Sequence, residues 1–340
     1  MSIATTRIEK QVKAFCAQIG ADPLLVQGAG GNVSWKDGDA LWVKASGTWL
    51  AHAAGKDEIF IPVDLLDLRA ELKNGNFSAI PKVLNNSHLR PSIETMLHAL
   101  MPQKIVFHLH AVEILSYLVR RNSIQSIREL VGVSMRWCHL SYFKPGAELA
   151  EAVAQVLLNG SNIEIIFLEN HGVVVGADSI SDLEVLLANL VRLFQNPLIK
   201  MDKIDIAIVP EIHFKLKQSY SLCSDVDLIQ LATNINLSSR LDNEWALYPD
   251  HVVFLGEEAV ILDGAMDSVD IGNSNPPFIF EIGVGVYESK LVTIAQKLQL
   301  RCYYDVLIRQ PAKAKLVTLS SDAIAELLNW DAEKYRRLQF

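Results

Sequence analysis

Lys104-Ile105-Val106-Phe107-His108-Leu109-His110 is the stretch that decides how this chain reads. Its apolar run has strand character, and a strand turns successive side chains to opposite faces. Ile105, Phe107 and Leu109 therefore share one face, and Val106, His108 and His110 the other. Two imidazoles side by side at the exit of a strand can chelate a single divalent cation. They need a third ligand and a group that moves protons, and the sequence has a candidate for each.

Working outward, the segment Pro91-Ser92-Ile93-Glu94-Thr95-Met96-Leu97-His98 predicts a helix from about Ser92 to Met101, closed by Pro102. Glu94 and His98 are then i and i+4 on one face, while Ile93, Leu97, Leu100 and Met101 supply a buried one. A helix packed back on the histidine strand brings Glu94 near His108 and His110. His98 reads as a supporting or core histidine rather than a ligand. After the strand, Val112 to Arg120 returns to helix. Ile163 to Leu168 reads as a buried strand, Glu169-Asn170-His171-Gly172 as a turn, and Val173 to Val175 as a further strand. A histidine at a strand end, in a turn closed by glycine, can point its ring into a cleft. A lone H-x-H is more often structural than metal-binding. Joined to a strand-end N-H-G and a helix glutamate, it becomes a much stronger signal.

Residues 8 to 19 have helical spacing, with Gly20 as the stop. Gln27 to Ser34 reads as a glycine-rich turn, Leu41 to Gly47 as a strand, Pro62 to Leu72 as a helix entered through proline, and 74 to 91 as loop. Pro145-Gly146 opens a helix over about 147 to 158, and Ser181 to Phe194 is another. Several links between strands are too short for a parallel crossover, so the class is α/β with a mixed, mainly antiparallel sheet covered by helices.

Asn196-Pro197 and the Lys200 to Lys217 stretch read as a connector, dividing the chain into 1–204 and 205–340. In the second part, Val252–Leu255 and Ala259–Leu262 are expected to pair as a hairpin through Gly256-Glu257-Glu258. Asp263 to Pro277 reads as loop, Phe278 to Ile282 as strand, Ser289 to Leu298 as helix and Leu316 to Leu319 as strand. Ser320 or Ser321 caps a final helix. The result is a small C-terminal α/β appendage that covers the cleft or serves assembly, with nothing in it that specifies chemistry. His251, in Tyr248-Pro249-Asp250-His251, is expected to cap a turn.

The chain has 340 residues, long enough for two domains, with 50% hydrophobic and 21% charged residues, as in ordinary globular proteins. A net charge of -8 argues against a broad nucleic-acid surface, though a local pocket can still take one small anion. No apolar run approaches the roughly 20 residues that span a bilayer, and Met1 to Lys13 lacks the apolar core of a signal peptide. The scattered Cys16, Cys138, Cys223 and Cys302 fit reduced thiols. A cytoplasmic protein with no membrane partner is expected. Neither glycine cluster is a dinucleotide fingerprint: Val33 holds the third glycine position of Gly28-Ala29-Gly30-Gly31-Asn32-Val33, and Glu288 that of the run starting at Gly283.

Six segments in order resemble the class II aldolase/adducin family: Gly30-Gly31-Asn32-Val33-Ser34, Lys44-Ala45-Ser46-Gly47, Ser92-Ile93-Glu94 with His98, His108-Leu109-His110, Tyr142 ahead of Pro145-Gly146, and Asn170-His171-Gly172. The resemblance covers about residues 8 to 200 and implies a three-layer αβα sandwich. It implies His108, His110 and His171 as ligands of Zn²⁺ or another divalent transition metal, with Glu94 as acid/base. It implies retro-aldol cleavage of a sugar or ketose phosphate, the metal stabilising the enediolate, and Tyr142 protonating the departing aldehyde oxygen, often across a subunit boundary. Gly31, Asn32, Lys44, Ser46, Gly47 and Ser92 match the family's phosphate pocket. Ala29, Gly30 and Ile93 depart from it, removing hydroxyl donors. The implied assembly is a homo-oligomer, a tetramer favoured. Epimerase, dehydratase and decarboxylase chemistry use the same kind of site. A non-catalytic interaction module of the adducin type is the rival of another class, and retention of all three histidines favours the enzyme.

Overall fold

The histidine stretch is the middle strand of a seven-stranded sheet. The computed structural model describes residues 7–55, 58–160, 162–199, 219–262 and 275–337. In chain order its first part holds α1 (Arg7–Gly20), β1 (Asn32–Asp37), β2 (Ala40–Lys44), β3 (Phe60–Asp64), α2 (Leu65–Lys73), α3 (Thr95–Leu100), β4 (Ile105–Leu109), α4 (Val112–Leu118), α5 (Ser123–Val131), β5 (Trp137–Leu140), α6 (Ala147–Asn159), β6 (Ile165–Leu168), β7 (Gly172–Ala177) and α7 (Ile180–Leu193). The later part holds β8 (Tyr220–Leu222), α8 (Val226–Thr233), α9 (Ile235–Ser238), α10 (Pro249–Leu255), β9 (Ile261–Leu262), β10 (Phe278–Glu281), β11 (Gly285–Ser289), α11 (Ile294–Leu307), α12 (Ser321–Asn329) and α13 (Asp331–Arg337).

The large sheet runs β3-β2-β1-β4-β7-β6-β5, antiparallel throughout except for the parallel β5–β6 pair. The alternation read from β4 holds. Ile105, Phe107 and Leu109 join a core with Val12 and Phe15 of α1, Leu115 of α4 and Leu183 of α7. Val106 faces the other way, packing with Ile166 and Val174 against Leu97 of α3 and Val153 of α6. Leu41, Val43 and Ile61 continue that second layer against Leu65 and Leu68 of α2. Helices thus cover both faces, giving three layers. Burial of a side chain such as Phe107 is worth about 1.5–3 kcal/mol, so the apolar stripe fixes the register of β4 and with it the side on which the histidines stand.

Several local expectations are corrected. Gln27–Ser34 is not all turn: Asn32 already opens β1, opposite His108. Pro62 lies inside β3 and α2 begins at Leu65, where the Asp64 side chain caps the Asp67 N–H at 3.0 Å. Proline is tolerated there because β3 is an edge strand, where a missing N–H leaves no central ladder broken. The helix expected from Ser92 is shorter, with Ser92–Glu94 as a turn before α3. β3, α5 and β5 were not expected at all.

The later part forms a second sheet, β8-β11-β10-β9, flanked by helices. The expected hairpin over 252–262 is instead α10 followed by the short β9. A short apolar run cannot be told from a buried helix by periodicity; Pro249 at the start and Gly256 at φ +95° at the end settle it as a helix. α11 begins after Thr293, which forms a capping box with Gln296, while Ser289 ends β11. Leu316 makes only an isolated bridge to Arg120. Ser320 caps α12, but α13 follows it. The later part docks on α4: Arg309 pairs with Glu113 at 2.9 Å, and the Gln310 amide donates to Ser116 O at 2.9 Å. The Asn170 amide, in the turn that carries His171, donates to Leu247 O and Val317 O at 2.8 and 2.6 Å. The expected 204/205 boundary and most of the expected 263–277 loop lie outside the described residues. Among the described residues, no helix is long and apolar enough to cross a membrane.

Candidate metal centre

Three buried imidazoles converge where β4 ends and the β6–β7 turn passes it. One ring nitrogen each from His108, His110 and His171 lies within 4.8 Å of the others. His108 Nε2 and His110 Nε2 are 3.1 Å apart. Bonds of about 2.0–2.1 Å in a tetrahedral shell would separate neighbouring ligand atoms by roughly 3.3 Å, so the spacing fits one cation. Glu94 offers a fourth donor: Oε2 is 3.6 Å from His108 Nε2, and Oε1 is 3.7 Å from His171 Nε2. Glu94 Oε1 is buried with no hydrogen-bond partner among the described residues. A buried carboxylate oxygen left bare is costly unless something cationic meets it. Burial pulls His171 down to about 3, keeping its ring in the neutral form that ligates metals. Gly172 is required by space: a Cβ there would stand 2.5 Å from Leu109 O and 3.1 Å from His110 Cδ2.

The strand register also supplies support for the Glu94 carboxylate. Asn32 and Ser34 of β1 pair with His108 and Val106, so they share the histidine face. The Asn32 amide donates to Glu94 Oε2 at 2.6 Å, and its carbonyl takes the proton of His98 Nε2. His98 Nδ1 and Ser34 Oγ are 2.7 Å apart. With the amide oriented by this network, a chain Ser34–His98–Asn32–Glu94 holds the carboxylate. His98 is thus the supporting histidine expected, and Glu94 stands at the N-terminal boundary of α3 rather than inside it.

Gly31, Asn32, Lys44, Ser46, Gly47 and Ser92 line one cavity together with Glu94, His110 and His171. Lys44 is buried, its ammonium donating to Ala29 O at 3.2 Å and Thr48 O at 2.6 Å. Burial first, and the Arg336 guanidinium next, bring it down to about 7. Tyr142 does not line this cavity. Its hydroxyl is buried without a hydrogen-bond partner, and burial followed by Glu326, Glu148 and Glu333 raises its pKa. His251 caps no turn: its ring is caged by Trp245, Tyr248 and Tyr303, both nitrogens unpartnered.

The later part is no bystander. Asp250 of α10 and Glu333 and Arg336 of α13 also line the cavity. Asp250 Oδ2 is 3.2 Å from His110 Nδ1, its Oδ1 is paired with Arg336, and Arg336 Nε is 2.8 Å from Glu333 Oε2. Sequence reasoning missed all three. The one available signal was Asp250 itself, beside the histidine that had drawn notice.

A family profile described as the Class II Aldolase and Adducin N-terminal domain matches residues 10–197. The chain is 30% identical over 177 residues to the uncharacterized oxidoreductase YuxG of Bacillus subtilis (strain 168), a match covering 47% of this chain and 25% of that protein. The matched part thus spans only a quarter of that relative's length. Among solved structures, the N-terminal class II aldolase domain of a conserved protein from Thermoplasma acidophilum is 27% identical, covering 57% of this chain and 94% of that one, with a TM-score of 0.47. An L-fuculose 1-phosphate aldolase is 15% identical, covering 56% and 85%, with a TM-score of 0.40. With more than half of its residues inside the matched domain, the chain belongs to the class II aldolase and adducin family.

Proposed function

We propose that the chain is a metal-dependent aldehyde-lyase that cleaves a sugar or ketose phosphate by a retro-aldol route. The observation that supports this most is Glu94, a buried carboxylate whose bare oxygen lies 3.7 Å from His171 Nε2, beside the three clustered imidazoles. A divalent ion held by His108, His110 and His171, zinc being the best match to an all-nitrogen set, supplies Lewis acidity for negative charge developing on a substrate oxygen. The chain's own groups do the rest. Glu94, ionised at rest, first takes up the proton released from the substrate hydroxyl and then passes it to the carbon left electron-rich when the carbon–carbon bond breaks, while Asn32 fixes its other oxygen. Gly31, Asn32, Lys44, Ser46, Gly47 and Ser92 hold the anionic end of the substrate. Tyr142 exchanges a proton with the aldehyde oxygen, its neutral phenol being the group that protonates this oxygen. Its position outside this chain's own cavity agrees with a role across a subunit boundary in a homo-oligomer.

Three retained buried imidazoles favour this reading over a non-catalytic interaction module. The test is metal analysis of the purified protein, followed by assay of ketose 1-phosphates for dihydroxyacetone phosphate release. About one transition-metal ion per chain and cleavage of at least one substrate are expected. Metal should be lost in His108→Ala, and turnover should fall at least 100-fold in Glu94→Gln. Unchanged turnover in Glu94→Gln removes the glutamate from the mechanism. Metal without any cleavage moves the assignment to a dehydratase or to an unphosphorylated substrate.

A further inference from the structure

Among the described residues, His110 is the one histidine of the triad with a carboxylate at its far nitrogen. Asp250 Oδ2 stands 3.2 Å from His110 Nδ1, off the axis of an ideal hydrogen bond but well within ion-pair range. The ring's other nitrogen, Nε2, faces His108 Nε2 at 3.1 Å. Asp250 is 1% exposed and firmly held: Oδ1 pairs with Arg336, and the Gln299 amide reaches Oδ2 at 3.4 Å. Arg336 is shared with Glu333, so its charge is balanced even before Asp250 is counted.

Space for this contact is made at the opposite end of the chain. A Cβ on Gly30 would stand 2.8 Å from Asp250 Oδ2 and 3.0 Å from His110 Nδ1. Gly30 is also a position where the family's hydroxyl is missing. The absent side chain and the carboxylate from α10 occupy the same place, so the sequence departure and the C-terminal contact are two sides of one arrangement.

We propose that Asp250 is a positioning residue of the metal centre: it keeps the His110 proton on Nδ1 and leaves Nε2 free to bind a divalent cation. The inference rests on the metal reading of the triad. A negative charge beside Nδ1 favours the tautomer protonated there, and the neutral Nε2 becomes the more basic ligand. Arg336 and Gln299 hold the carboxylate, and Gly30 admits it. The region beyond the matched domain is then part of the centre.

The test is zinc affinity of the full chain, by competition with a chromophoric chelator, together with ¹⁵N NMR of the His110 ring. His108→Ala is the control for the metal reading and should abolish tight binding. Asp250→Asn is expected to weaken zinc 10- to 100-fold and to shift His110 away from the Nδ1-protonated form. Gly30→Ala, whose Cβ crowds the contact between Asp250 Oδ2 and His110 Nδ1, should move both readouts the same way, and the part of its effect that acts through the carboxylate vanishes in Asp250→Asn, so the two changes together should cost less than their sum. It also serves if Asp250→Asn does not fold. Wild-type affinity with an unchanged Nδ1 proton in both variants, even with a lowered melting temperature, would reduce Asp250 to a structural partner of Arg336 and overturn the proposal. Absence of zinc binding in the wild-type protein would remove the metal reading and this inference together.

Discussion

Lys44 is an amine whose charge the fold barely tolerates. Burial and the Arg336 guanidinium lower it from 10.5 to about 7, and two of its three donors go to the carbonyls of Ala29 and Thr48. Between those two values the unfolded chain holds a proton that the folded chain has given up. Stability contributed by this group therefore rises with pH across that window, and below pH 7 the folded protein carries the full cost of a buried charge. Lys44→Met should stabilise the protein near pH 6, and the gain should shrink as the pH approaches 10. Urea titrations of both proteins across that range check it, and a difference independent of pH would mean that Lys44 is unshifted. At this scale the sequence was partly legible. Histidines spaced by two, and a histidine before a glycine, announce themselves. Asn32 reads from the sequence as a phosphate-pocket residue, not as a support for the carboxylate. Its work between His98 and Glu94 depends on the β1–β4 register, which no local pattern encodes.

The β6–β7 hairpin and β4 make the centre by passing closely. Gly172 opens β7 against Leu109 O, at a distance no Cβ can occupy. Gly172→Ala must push the hairpin off β4. A loss of about 1–3 kcal/mol is expected from overpacking, with the imidazoles spread and zinc affinity reduced. Thermal melts with and without zinc measure both, and an unchanged melt would show that the hairpin has slack. Elements with a full period of side chains were readable: α1, β4, α4, α6, β6, β7 and α7 all lie close to where the apolar spacing put them. Failures came where the period is too short to choose. Val252 to Leu255 suits either strand or helix, and the flanking Pro249 and Gly256 decide for the helix. Pro62 suggested a helix start because the edge position of β3, which excuses it, is a property of the sheet and not of the segment.

For the molecule as a whole, one core joins both parts. Leu115 and Leu118 of α4 sit in the same apolar cluster as Leu300 and Tyr304 of α11. Removing everything after residue 199 would uncover that surface and strip Arg120 and Asn170 of the carbonyls they now reach. Each buried polar group left bare costs about 1–3 kcal/mol. The shortened chain should aggregate or lose its near-ultraviolet circular dichroism, and a monomer melting like the full chain would show that the later part is dispensable. The small second sheet was expected, but the residues this part adds to the cavity were not legible, for a physical reason. Asp250, Glu333 and Arg336 carry no mutual spacing, and only the docking of α10 and α13 brings them to His110 and Glu94.

Distance along the chain also sets an order in time. A ribosome delivers His108, His110 and His171 before it has made Asp250 or Arg336. The first part shares its core with the later one, so its fold, and with it the meeting of the three imidazoles, waits for residues made afterwards. When the rings converge, Asp250 and Arg336 have already been synthesised, and the space beside Gly30 is filled as the centre forms.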